Sequence, residues 1–214
     1  MTISPVDLLA AGAAMCAVWM CGVGGLTPLL RLLGVQTALS AVMAAVLGAT
    51  FGLPHYYVLA LVVFAVKAVA IPVYLSHAAT QLQLRRDDGV LTPTALPLFL
   101  GCGILIAGYF LAPRIAVPTM GYTGAAGMAL ALLLTGMLIM VTRRLALSQV
   151  IGFLVLENGI FLYSLTQTHG MPLVIEMGII FDVLIAVLVA GVVIFRLNRS
   201  FEHIDVTQLR GLRH

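Results

Sequence analysis

The chain has 214 residues, of which 62% are hydrophobic and 9% charged, with a mean hydropathy of +1.13. Soluble domains are about 45–50% apolar and about 25% charged, so a soluble fold is excluded and lipid is the expected solvent for most of the chain. The formal net charge is +3, but the basic residues stand singly or in pairs between apolar runs, which excludes a nucleic-acid surface.

A bilayer core takes about 20 apolar residues per helix. Seven such runs are predicted, at roughly 5–27, 34–53, 56–77, 95–112, 119–141, 147–167 and 172–196. The first lacks a basic leader and a small-residue cleavage site, so it reads as a mature helix and not as a signal peptide. Turn chemistry marks the breaks: Gly52-Leu53-Pro54, Thr92-Pro93, Ala112-Pro113, Pro118 and Gly170-Met171-Pro172. The expected fold is therefore an all-α polytopic membrane bundle. Its parts are helices 1–3 in residues 1–80, a cytoplasmic loop at 81–94, helices 4–5 in 95–141, a hairpin of helices 6–7 in 142–197 and a cytoplasmic tail at 198–214.

Seven spans put nine of the eleven basic residues on one side: Arg31, Arg85, Arg86, Arg143, Arg144, Arg196, Arg199, Arg210 and Arg213. Arg114 falls alone on the other side, and Lys67 lies inside a helix. The positive-inside rule then places the C-terminus in the cytoplasm and the N-terminus outside. The loop between about Ser76 and Thr94 carries the solvated cluster Arg85-Arg86-Asp87-Asp88.

Cys16, Cys21 and Cys102 lie in apolar runs without metal-ligand spacing and read as small buried residues. No metal or cofactor is expected in this chain. His55, His77 and His169 fall near helix ends, which argues against a bis-histidine haem. Gly48-x-x-x-Gly52 is a close-packing pattern of low specificity. A weak echo relates Arg31 and Gln36 to Arg144 and Gln149, and Lys67 after His55 to Asp182 after His169. A parallel hairpin repeat or chance explains it.

Four ionisable residues fall within the spans: Lys67, Glu157, Glu176 and Asp182. Each costs about 2.5–3.5 kcal/mol near a bilayer centre, so each must be paired, hydrated or neutralised. Counting at about 1.5 Å per residue, Lys67, Glu157 and Asp182 sit near mid-depth on three different helices, and Glu176 about one turn in from the outer surface. Two readings are open. Lys67 forms a structural ion pair with Glu157 or Asp182, or these groups relay protons, because burial draws the proton affinities of acids and amines together. Pro72 removes the backbone bond to the Ala68 carbonyl, beside Lys67. Asn158 and Gln149 are candidates to support a hydrated path.

From about Arg144 onward the chain resembles the K-type small subunit of respiratory complex I. Over its length and layout it resembles hydrogenase-4 component E, a membrane subunit of group 4 hydrogenase and formate hydrogenlyase complexes. The resemblance rests on Gln149-Val150-Ile151-Gly152-Phe153-Leu154-Val155-Leu156-Glu157-Asn158-Gly159, on Met171-Pro172-Leu173-Val174-Ile175-Glu176 through Asp182, and on the tail around Ile204-Asp205-Val206 and Leu209-Arg210-Gly211-Leu212. It implies that Glu157 and Asp182 take the places of two buried carboxylates on a proton-translocating axis. Glu157 stands about one turn later than usual relative to Gly152, and Asp182 is one methylene shorter than the usual glutamate. The resemblance also implies a bacterial or archaeal inner-membrane location in a hetero-oligomer with antiporter-like and H-type subunits. Iron–sulfur clusters and a nickel–iron site are implied in partner subunits. A subunit of a multisubunit cation/proton antiporter, or a purely structural spacer, are the alternatives.

Overall fold

The computed structural model describes residues 4–81, 95–117 and 121–167. Its helices are α1 (Pro5–Gly22), α2 (Leu26–Phe51), α3 (His55–Val62), a π-helical segment (Val63–Ala70), α4 (Ile71–Gln81), α5 (Ala95–Ile115), α6 (Thr123–Thr142) and α7 (Ala146–Gln167). The α3–π–α4 stretch is one continuous rod. Six helices are thus long and apolar enough to cross a bilayer, and among the described residues there is no strand ladder. The chain is an all-helical, multi-pass membrane protein. The seventh predicted run, with Glu176 and Asp182, lies outside the described residues, as does the Arg85–Asp88 cluster.

Three predicted boundaries are corrected. The first break falls at Val23–Gly25, not between 27 and 34, so Arg31 belongs to α2. Gly25 begins that helix, and Pro28 sits in its first turn, where a missing N–H costs nothing. α5 runs through Pro113 to Ile115, because a proline in the last turn forfeits only one helical bond before the helix ends. The third span extends past Ser76 to Gln81, with the Ser76 and Thr80 hydroxyls bonded back to the carbonyls of Val73 and Ser76 at 2.7 and 2.9 Å.

α1 and α6 run parallel, and each caps the other. Tyr122 gives α6 no side-chain cap. Asp7 supplies one from α1, accepting the Ala125 N–H at 2.8 Å through Oδ1, while its Oδ2 accepts the Ser4 N–H in a capping box at the start of α1. At the other end Arg143 is buried, 2% exposed. Its Nη2 donates to the carbonyls of Met20 at 3.1 Å, Cys21 at 3.5 Å and Val23 at 2.5 Å, the terminal acceptors of α1. Sequence reasoning counted Arg143 only among the basic residues of the cytoplasmic side. Bonds to a charged donor are worth about 1.5–3 kcal/mol, so Arg143→Met is expected to cost about 2–3 kcal/mol. Arg144→Met, at an exposed position, is expected to cost almost nothing. Denaturation midpoints in detergent micelles check both.

The helices meet through small residues. α5 buries Pro97, Gly101, Gly108 and Ala112 and turns Phe99 and Phe110, 73% and 71% exposed, outward. Lipid competes for large apolar side chains as well as a helix does, so close approach of backbones holds such bundles together. Gly48 fits the expected close-packing role, since a Cβ there would stand 2.8 Å from Tyr56 Cβ. Gly52 does not. It has open space around it and caps α2 at φ +67°, a left-handed conformation that favours glycine. The cysteines divide: Cys21 is buried, Cys16 half-buried and Cys102 exposed on α5.

Candidate functional site

The site forms where the π-helical segment, α2 and α7 converge at mid-length. Val63–Ala70 is rich in β-branched residues, which crowd the turns of an α-helix, and Pro72 follows it. Ile71 N–H accordingly bonds to the Val66 carbonyl, five residues back. Sequence reasoning expected Pro72 to leave the Ala68 carbonyl without its helical bond. The structure has a wider helical stretch that carries Lys67, and Gly34 of α2 lies against that carbonyl. A Cβ at Gly34 would be 3.1 Å from Ala68 O and 3.9 Å from Pro72 Cγ. π segments inside helices recur at functional sites because they re-aim a side chain.

Lys67 Nζ lies 3.0 Å from Glu157 Oε1, with side-chain exposures of 8% and 7%. The contact is ionic, outside hydrogen-bond geometry: neither Glu157 oxygen has a hydrogen-bond partner among the described residues. Lys67 Nζ also stands 6.0 Å from the ring centre of Phe161, one turn after Glu157, at the limit of cation–π attraction. Of the two acids that sequence reasoning left open for Lys67, Glu157 is in contact with it. Asp182 and Glu176 lie outside the described residues.

Asn158, 1% exposed, donates from Nδ2 to Thr37 Oγ1 of α2 at 2.9 Å. Thr37 was missed by sequence reasoning, which had no signal to separate it from other small polar residues. Gln36 and Ser40 lie beside it, each fully buried, and Ser40 Oγ donates to the Gln36 carbonyl at 3.3 Å. Gln149 does not join this cluster. It is exposed near the start of α7 and donates to the Arg143 carbonyl at 3.1 Å.

The Thr37–Asn158 bond makes residues of α2 and α7 that are 121 apart level with each other. The internal echo pairs residues 113 apart, which leaves Gln149 about 12 Å from the level of Gln36. The first half of the echo therefore does not correspond to equal depth, and Asp182 of the second half lies outside the described residues.

At the far end of α7 the polar side chains clamp the α5–α6 connection. Gln167 accepts the Val117 N–H at 2.8 Å and donates to the Tyr122 carbonyl at 3.1 Å. Tyr163 Oη donates to the Ile115 carbonyl at 2.8 Å. Among the described residues no three His, Cys, Asp or Glu side chains come together as metal ligands.

The chain is 32% identical to the uncharacterized protein Rv0085 of Mycobacterium tuberculosis over 210 residues, 97% of this chain and 96% of the relative. It is 26% identical to hydrogenase-4 component E of Escherichia coli K12 over 151 residues, 70% of each chain, and equally to that of Shigella flexneri. No family model matches the sequence. No solved structure matches it.

Proposed function

The chain belongs to the same family as protein Rv0085 of Mycobacterium tuberculosis, and from that premise we propose that it is a non-catalytic membrane subunit of a hydrogenase-4-like complex. In this reading it carries part of a proton path coupled to redox chemistry in other subunits. The observation that carries the reading is the Lys67–Glu157 pair, buried at mid-length on a π-helical segment. The similarity to hydrogenase-4 component E supports the complex. Antiporter-like and H-type subunits are the membrane neighbours, and partner chains hold the iron–sulfur clusters and the nickel–iron site. The arginine-bearing end faces the cytoplasm of a bacterial or archaeal inner membrane.

The chemistry is a proton exchange within the pair. The Lys67 ammonium passes a proton to the Glu157 carboxylate, leaving a neutral amine and a neutral acid. Glu157 then releases that proton to one side, and Lys67 takes another from the opposite side. Asp182 and Glu176 are the next carboxylates along the path.

The test is Glu157→Gln in the purified complex reconstituted in vesicles. A misplaced proton-transfer group costs about 100-fold or more. Pumping is therefore expected to fall by about that factor while the subunits still co-purify. Unchanged pumping would assign a spacer role. Co-purification with antiporter subunits alone, without redox partners, would assign the chain to a cation/proton antiporter.

A further inference from the structure

Beyond the ion pair, α2 and α7 carry a second set of buried polar groups without hydrogen-bond partners among the described residues. α1, α2, α7 and α6 pack in a ring, each against the next. The Thr37–Asn158 bond marks the line between α2 and α7. At about 100° per residue, Gly34 lies about 60° to one side of Thr37, where it meets Ala68 of the π segment. Gln36 lies about 100° to the other side, toward the inside of the ring. On α7, Glu157 lies about 100° from Asn158 toward Lys67, and Ser148 about 80° the opposite way. That second direction leads toward α6, which Gly152 and Gly159 contact. The ion pair thus stands outside the ring and Gln36 and Ser148 face its interior, with Asn158 between them.

Gln36 and Ser148 are 0% exposed and Asn158 1%. Among the described residues, Gln36 Oε1 and Nε2, Ser148 Oγ and Asn158 Oδ1 have no hydrogen-bond partner. The Thr135 hydroxyl, on α6 of the same ring, and the Tyr56 hydroxyl, at the start of α3, share that condition. In the opposite half of α7, by contrast, Tyr163, Thr166 and Gln167 all bond to protein groups. Buried polar atoms bond either to protein or to ordered water. Along α7, among the described residues, the unmet groups run from Ser148 to Asn158 and none lies beyond Asn158.

We propose that Gln36, Asn158 and Ser148 bind water inside the four-helix ring, and that this water joins the Lys67–Glu157 pair to the arginine-bearing end. The inference rests on the proton-path reading for what the water does, but not for its presence. Two asparagines occur in the chain, Asn158 and Asn198, so labelling asparagine with nitrogen-15 gives two side-chain amide signals. Water-edited solid-state NMR on the full chain in lipid bilayers reads them, and Asn198→Ser assigns them. The Asn158 amide is expected to receive water magnetisation at short mixing times and to lose that transfer in Gln36→Leu and in Ser148→Ala. A dry Asn158 in the unaltered chain overturns the proposal, whatever the variants do. A wet Asn158 indifferent to both variants also overturns it, because the water then arrives from the ion-pair flank. Wet Asn158 with full pumping in Glu157→Gln would keep the water and remove the proton path.

Discussion

Lys67→Met is expected to destabilise the folded chain by about 3–5 kcal/mol, and adding Glu157→Met to the same chain is expected to recover most of that loss. Each partner of the pair is almost fully buried. Removing one leaves the other charge without compensation in a low-dielectric interior. Removing both replaces two desolvated ions by apolar side chains of similar size, an exchange that is often neutral or stabilising. The double-mutant cycle, run as unfolding in detergent micelles, reads the coupling directly. Its sign also separates the two readings of the pair. An ion pair retained only for structure would be replaceable, so the double variant would both fold and pump. For a pair that moves protons, the double variant would fold, co-purify with its partners and fail to pump. A double variant no more stable than the single one would show that Lys67 does not depend on Glu157.

The six described spans were legible in the sequence because lipid imposes one demand along the whole chain, about 20 apolar residues per crossing. Depth was legible for the same reason. Lys67 and Glu157 were placed at a common level by counting residues from the ends of their runs, and they meet. What one sequence does not carry is azimuth, the direction a residue faces relative to other helices. Glu157 and Asp182 were equal candidates for Lys67, because counting residues predicts mid-depth for both and says nothing of the direction each faces. Arg143 shows the same gap. Its basic character placed it at a helix end, but only the parallel packing of α1 and α6 brings it to the carbonyls of Met20, Cys21 and Val23. Pro72 was a visible signal of altered helix geometry, whereas the π register before it depends on how α2 seats Gly34 against Ala68.

Gly152→Val is expected to be strongly disruptive, costing about 3 kcal/mol or more, at the upper end of overpacking effects. A Cβ at Gly152 would stand 2.9 Å from the Met140 backbone nitrogen and 3.0 Å from the Gly136 carbonyl oxygen. One added at Gly136 would meet Leu156 Cα at 2.7 Å, and one at Gly159 the Leu133 nitrogen at 2.6 Å. These contacts are with backbone, which cannot rotate out of the way as a side chain can, so the two helices must separate along the seam. Gly103 of α5 is the control, because nothing lies within 4 Å of a Cβ there. Gly103→Ala is expected to stabilise the chain by about 0.5–1 kcal/mol through helix propensity alone. The consequence reaches the site, because Glu157 sits five residues after Gly152 on the same helix. A shift of α7 away from α6 moves the carboxylate relative to Lys67, whose position is set by the contact of Ala68 with α2. Gly152→Val is therefore expected to lower pumping as well as stability, and Gly103→Ala to leave pumping unchanged. Equal stability loss with unimpaired pumping would mean that the pair tolerates displacement, and that close geometry between Lys67 and Glu157 is not what the glycine seam maintains.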